Sequence, residues 1–211
     1  MTRAELLASC RRGILFSTPM VQAIYSDQKT RTMRVMNPQP ALSDFYGIPA
    51  YEFKGHYYFN DEGPYIARKH FAHDWAMLKP GDIVYVRETW QYLEGAIGHG
   101  YAYKAGGGVF NDLGEWRPSI FMPKAAARGF LRITGVRVQR PQELTAKEIF
   151  AEGVSCGSQD VCGVLCGMCA NGPQEMWRKL WDDINFKRGY GWGVNPWCFT
   201  YLVERVVPDD Q

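Results

Sequence analysis

The stretch Lys29-Thr30-Arg31-Thr32-Met33-Arg34 carries three cations and two hydroxyls within six residues. It follows a segment with helical marks: Thr18 suits an N-cap, Pro19 suits the first turn, and Met20, Val21, Ile24 and Tyr25 recur at helical spacing. The helix is expected to stop at Ser26-Asp27-Gln28, where Asp27 tolerates a left-handed backbone. If Thr32 opens a strand, side-chain alternation puts Thr32 and Arg34 on one face. A lysine amine and a threonine hydroxyl at such a helix-to-strand corner suit an anionic or carbonyl-bearing ligand. A solvated basic turn has the same composition.

Composition narrows the classes. The chain has 211 residues, an apolar fraction of 46% and a formal charge of +2, enough for one well-buried domain and too little charge for a polycation. Binding of a nucleic acid therefore requires a local patch, for which Arg11-Arg12, Lys29 to Arg34, and Arg132, Arg137 and Arg140 are the candidates. Seven tryptophans fit the interior of a small barrel, with Trp197 the clearest core residue and Trp90 and Trp192 open to base stacking. The apolar run Leu6-Leu7-Ala8 is too short for a signal peptide, and no run approaches a membrane span, so a cytoplasmic chain with reduced thiols is expected.

Along the chain, strands are expected at 12–16, 82–89, 101–104, 129–139 and 197–206, with Gly135 as a bulge. Residues 37–78 read as an irregular insertion packed on the barrel, and 154–172 as a second insertion in a single domain over 1–211. Thr145-Ala-Lys-Glu148 is a capping box opening a short helix that ends at Gly153. A longer helix from about Pro173 to Lys187 should bury Met176, Leu180 and Ile184, with Trp177 and Trp181 beside them. Gly106 to Gly108 read as a plain turn, because no P-loop lysine-serine pair follows.

Two clusters carry chemistry. Cys156, Cys162, Cys166 and Cys169 are separated by five, three and two residues and interleaved with glycines that let a loop converge its sulfurs. One structural zinc per chain is the leading reading, with an iron–sulfur cluster or unliganded thiols as the others. Four thiolates leave no open coordination position, so no catalytic metal is expected. Cys10 and Cys198 read as buried small hydrophobes, and His70 and His73 as surface residues lacking a third ligand. Glu152, at a helix C-terminus among unpaired carbonyls, is placed where a carboxyl pKa rises and a proton donor becomes available.

The basic stretch resembles the signature loop of the ASCH family, relatives of the PUA-like β-barrels, which runs roughly Gly-x-Lys-Thr-x-Thr-x-Arg. Further matching segments follow in order: Lys79-Pro-Gly-Asp-Ile-Val-Tyr-Val-Arg-Glu-Thr-Trp90, Phe130-Leu-Arg-Ile-Thr-Gly-Val-Arg-Val138, Leu144 to Gly153, and Asn195 to Val203. With Trp116 to Pro123 and Gly189 to Gly193, they resemble the larger family members common in phages and prophages. Asp27 stands where the family has glycine. The resemblance implies an α+β fold, a PUA-like and mostly antiparallel β-barrel with flanking helices; the small four-cysteine metal lobe would be an addition to it. One small bacterial member is an amidohydrolase of acetylcytidine. Residue-by-residue matching implies Lys29 as proton acceptor, Thr32 as nucleophile and Glu152 as proton donor. Arg31 and Arg34 supply cations that favour a neutral lysine, and Thr30, Arg31, Arg34 and Trp90 are candidate contacts to RNA, DNA or a modified nucleoside. The non-catalytic alternative is a module that binds RNA or DNA.

Overall fold

The structure is a computed structural model. It describes residues 1–45, 48–53, 56–59, 76–94, 100–107, 114–154 and 172–209, with side chains described outside 41–59. The first elements are α1 (Arg3–Ser9), β1 (Arg12–Leu15), α2 (Thr18–Tyr25) and β2 (Arg31–Val35). Then come β3 (Ala41–Phe45), β4 (Ile48–Phe53), β5 (His56–Phe59), β6 (Ile83–Arg87), β7 (Trp90–Leu93) and β8 (Gly100–Tyr103). The chain continues through β9 (Phe130–Gln139), α3 (Ala146–Ala151), α4 (Gly172–Asn185) and β10 (Cys198–Val206).

The fold is mixed α and β with mostly antiparallel sheets. Five strands run in the order β1-β6-β9-β10-β2, and only the β1–β6 pair is parallel among the registers described. The basic stretch and the runs at 82–89 and 130–139 thus share one sheet, as expected. Closure does not follow: β1 and β2 end the strand order, whereas a barrel requires its outermost strands to pair. The described strands form an open sheet, which corrects the expectation of a closed barrel.

The described chain divides into two compact units. The first comprises Met1–Thr30, Pro80–Thr134 and Val203–Gln211. Its core gathers Leu6, Cys10, Ile83, Trp90, Met122 and Phe130. Helix α1 was not anticipated; Thr2 and Glu5 close a capping box over its first turn. At α2, Ser17 is the N-cap in place of Thr18, which is already helical.

The second unit comprises Arg31–Lys79 and Gly135–Leu202. Its core is Met33, Leu144, Ile149, Val154, Trp177, Trp181 and Cys198. Residues within 37–78 are not simply irregular: β3, β4 and β5 form an antiparallel sheet in that order. Proline and glycine mark that stretch as irregular in sequence, yet Pro49 lies within β4, opposite Asp44 of β3. Helix α4 buries Trp177, Trp181 and Asn185, four residues apart, whereas Ile184 is 55% exposed. Indole area decides the rotation, because each tryptophan also finds an acceptor: Trp177 Nε1 donates to the Pro141 carbonyl and Trp181 Nε1 to that of Tyr190. No helix among the described residues is long and apolar enough to cross a membrane.

Candidate functional site

The helix-to-strand corner forms as the sequence suggests. Asp27 has a φ of 56° and turns the chain out of α2, and its carboxylate accepts from Arg205 at 3.0 and 3.2 Å. That hydrogen-bonded guanidinium holds the Asp27 carboxyl below its usual range. The Lys29 amide donates to the Ala23 carbonyl at 2.9 Å, fixing the lysine at the corner. Lys29 is only 5% exposed, with Nζ 5.9 Å from the centroid of the Phe16 ring. Thr30 is exposed, and its carbonyl accepts from the Val203 amide.

Strand β2 pairs with β10 so that Thr32 opposes Tyr201, Met33 opposes Thr200 and Arg34 opposes Phe199. Alternation along β2 then places Thr32 and Arg34 on one face and Arg31 and Met33 on the other. Thr32 is 1% exposed, and its Oγ1 makes no hydrogen bond among the described residues. Arg34 reaches solvent and donates to the Met33 carbonyl. Neighbouring protein atoms partly screen its guanidinium from water and lower its pKa, an effect opposed by the Glu152 carboxylate and Tyr201. An arginine still carries its charge at neutral pH after such a shift.

Arg31 is buried; two nitrogens of its guanidinium lie at hydrogen-bond distance from a partner, whereas Nε makes no hydrogen bond among the described residues and has only an ion-pair contact. Nη1 lies 2.7 Å from Glu148 Oε1, Nη2 donates to Gln139 Oε1 at 2.7 Å, and Nε lies 3.5 Å from Glu152 Oε1. Helix α3 supplies both carboxylates. Glu148 is the third residue of the capping box, and its Oε2 accepts from the Thr145 amide and hydroxyl at 3.0 Å. Burial raises the Glu148 pKa, but the Thr145 amide and the Arg31 guanidinium outweigh it and bring the carboxyl down to about 2. Glu152, one turn later, is the buried C-cap, and Gly153 stops the helix with a φ of 84°.

The expected residues therefore divide. Arg31, which the sequence suggested as a ligand contact, is drawn into ion pairs with Glu148 and Glu152. Thr32 and Arg34 share the opposite face of β2. Trp90 lies buried in the core of the first unit, with the Arg117 guanidinium 5.4 Å from its ring and Tyr101 edge-on at 5.7 Å. Trp197 is buried as anticipated. Cys10 and Cys198 are buried free thiols; burial pushes Cys10 up to about 11 and Cys198 higher still. Cys156, Cys162, Cys166 and Cys169, like His70 and His73, lie outside the described residues. Among the described residues, no group of three or more His, Cys, Asp or Glu could hold a metal.

Sequence reasoning missed Gln139 and Glu148 as partners of Arg31, and it missed the pair Glu88–Arg128. Glu88 is fully buried, and Arg128 Nε and Nη2 each donate to it at 2.9 Å. The Arg128 guanidinium lies 4.9 Å from the Tyr25 ring and 4.2 Å from that of Tyr103. A signal existed: Glu88 shares its alternation with Val84 and Val86, and a lone carboxylate on an apolar face calls for a buried partner. No protein-family model, curated protein or solved structure matches the chain.

Proposed function

We propose that this chain is an ASCH-type domain, related to the PUA-like barrels through an opened sheet, that binds a nucleoside or nucleic acid at β2. The observation that carries this reading is the Thr32 hydroxyl, buried and without a hydrogen bond among the described residues. An unsatisfied buried hydroxyl costs about 1–3 kcal/mol, a cost that a carbonyl- or amine-bearing ligand relieves. Arg34 on the same face is an exposed cation suited to a phosphate or a pyrimidine carbonyl. These supports do not require a catalytic step.

Catalysis is the second reading, favoured by the burial of Lys29 next to this strand in sequence. In it, Thr32 Oγ1 attacks the acyl carbonyl of an acylated cytosine while its proton passes to Lys29. Cleavage of the C–N bond leaves an acyl ester on Thr32, and the departing nitrogen takes a proton from Glu152. Water then cleaves the ester: Glu152 takes a proton from the attacking water and Lys29 returns its proton to the Thr32 oxygen, which releases the carboxylic acid and restores both groups. In this reading the substrate is a free nucleoside or a nucleotide within RNA or DNA. The cysteine quartet is read in the same proposal as one structural zinc, because its four thiolates complete a tetrahedral set.

The test is incubation of the purified chain with acetylcytidine, with mass-spectrometric detection of deacetylated product, alongside calorimetric titration with cytidine and short RNA. Product from the native chain, lost in Thr32→Val and Lys29→Ala, supports the enzyme. Binding that is weakened by Arg34→Ala, with no product, leaves the non-catalytic module. Absence of both binding and turnover ends the reading.

A further inference from the structure

We infer that Glu148 is a positioning residue, holding the Arg31 guanidinium at ion-pair distance from Glu152 so that its charge keeps that carboxylate in place. The inference rests on the catalytic reading only in the role it gives Glu152; its geometry stands apart from that. A guanidinium has donors on three nitrogens in a planar fork, so occupying two of them fixes the direction of the third. Glu148 and Gln139 occupy Nη1 and Nη2 at 2.7 Å each. Nε remains, 3.5 Å from Glu152 Oε1, an ion-pair contact without a hydrogen bond from Nε.

Glu148 can serve this purpose because both of its carboxylate oxygens are themselves anchored. Its Oε2 closes the capping box with Thr145, and its Oε1 faces Arg31, with Gln139 Nε2 at 3.5 Å and Arg137 Nη1 at 3.9 Å. The chain of fixed groups therefore runs from the first turn of α3, through Arg31 on β2, back to the C-cap of the same helix. Four residues separate Glu148 from Glu152, so the two carboxylates lie on the same side of α3, with one guanidinium between them. A helix of this length frays easily, and bridging its two ends through a strand residue holds the C-cap where it is.

The variant Glu148→Gln keeps the capping box, since glutamine serves at that position, but removes the charge that orders Arg31. Gln139→Leu releases the other Nη by a different route, and the exposed Glu204→Gln is the control for loss of a carboxylate. Two readouts are taken. In a 15N-labelled sample, the Arg31 Nε–H resonance should be resolved in the native chain and in Glu204→Gln, and should shift or broaden in both Arg31-directed variants. With acetylcytidine, kcat should fall about tenfold to a hundredfold in those variants while KM holds, as displacing a reacting group by a fraction of an ångström does. An unchanged Nε–H resonance in both variants overturns the inference, as does a rise in KM at constant kcat. If the native chain has no turnover, the catalytic reading falls by itself and the resonance alone decides the positioning.

Discussion

Thr32 is the residue at which folding and function make opposite demands. A hydroxyl buried without an acceptor or donor is a standing cost to the fold, so its removal by an isosteric methyl should help the chain. Thr32→Val is therefore expected to raise stability by about 1 kcal/mol in urea titration of the ligand-free chain, while abolishing the ligand response that the hydroxyl supports. A substantial fall in stability would mean that the hydroxyl is already satisfied within the fold, and β2 would lose its claim as the site. The position of Thr32 was legible from alternation alone: the sequence put it on one face with Arg34, and the β2–β10 register does the same. The fate of Arg31 was not legible. Three neighbouring cations look alike in sequence, and which one is buried depends on carboxylates from a distant helix, α3.

At the scale of the element, α3 shows how a local signal can carry tertiary consequence. The capping box was readable from Thr145 and Glu148 because its chemistry is confined to four residues. The second job of Glu148, as the charge opposite Arg31, was invisible because β2 arrives there only through the sheet. Its acidity gives a test. The folded carboxyl titrates at about 2 against an ordinary value of 4.5, so the folded state holds its ionised form. A depressed carboxyl contributes stability that is present above its unfolded pKa and lost as pH falls through the folded one. The Tm should thus drop between about pH 5 and pH 2, and the drop should be shallower in Glu148→Gln. Parallel acid profiles for the two chains would show that the Arg31 contact contributes nothing to folding. The β3-β4-β5 sheet is the element the sequence concealed most fully, since its strands are short and punctuated by proline and glycine.

At the scale of the whole molecule, the described residues of each compact unit combine an apolar core with an arginine held by buried or half-buried carboxylates: Arg128 by Glu88 in the first, and Arg31 by Glu148 and Glu152 in the second. Buried pairs of this kind add less net stability than apolar packing, and losing one partner leaves an uncompensated charge. The antiparallel sheet was legible because its strands alternate and end in turns, whereas barrel closure depends on how outer strands meet, which no single strand records. The cysteine quartet follows a different logic, because its expected contribution comes from a bond set and not from packed area. Four thiolates within fourteen residues cannot all approach one another without a cation, since their charges repel. Metal analysis of the chain, purified without chelator, should find about one zinc per chain at a tetrahedral site with sulfur distances of about 2.3 Å by X-ray absorption. Replacing Cys162 and Cys166 together with serine should remove the metal and lower Tm, because metal binding energy is folding energy in such loops. Iron in the purified chain, with visible absorbance, would reassign the quartet to a cluster. A metal-free chain of undiminished stability would leave four reduced thiols, and the loop's glycines would then need another explanation.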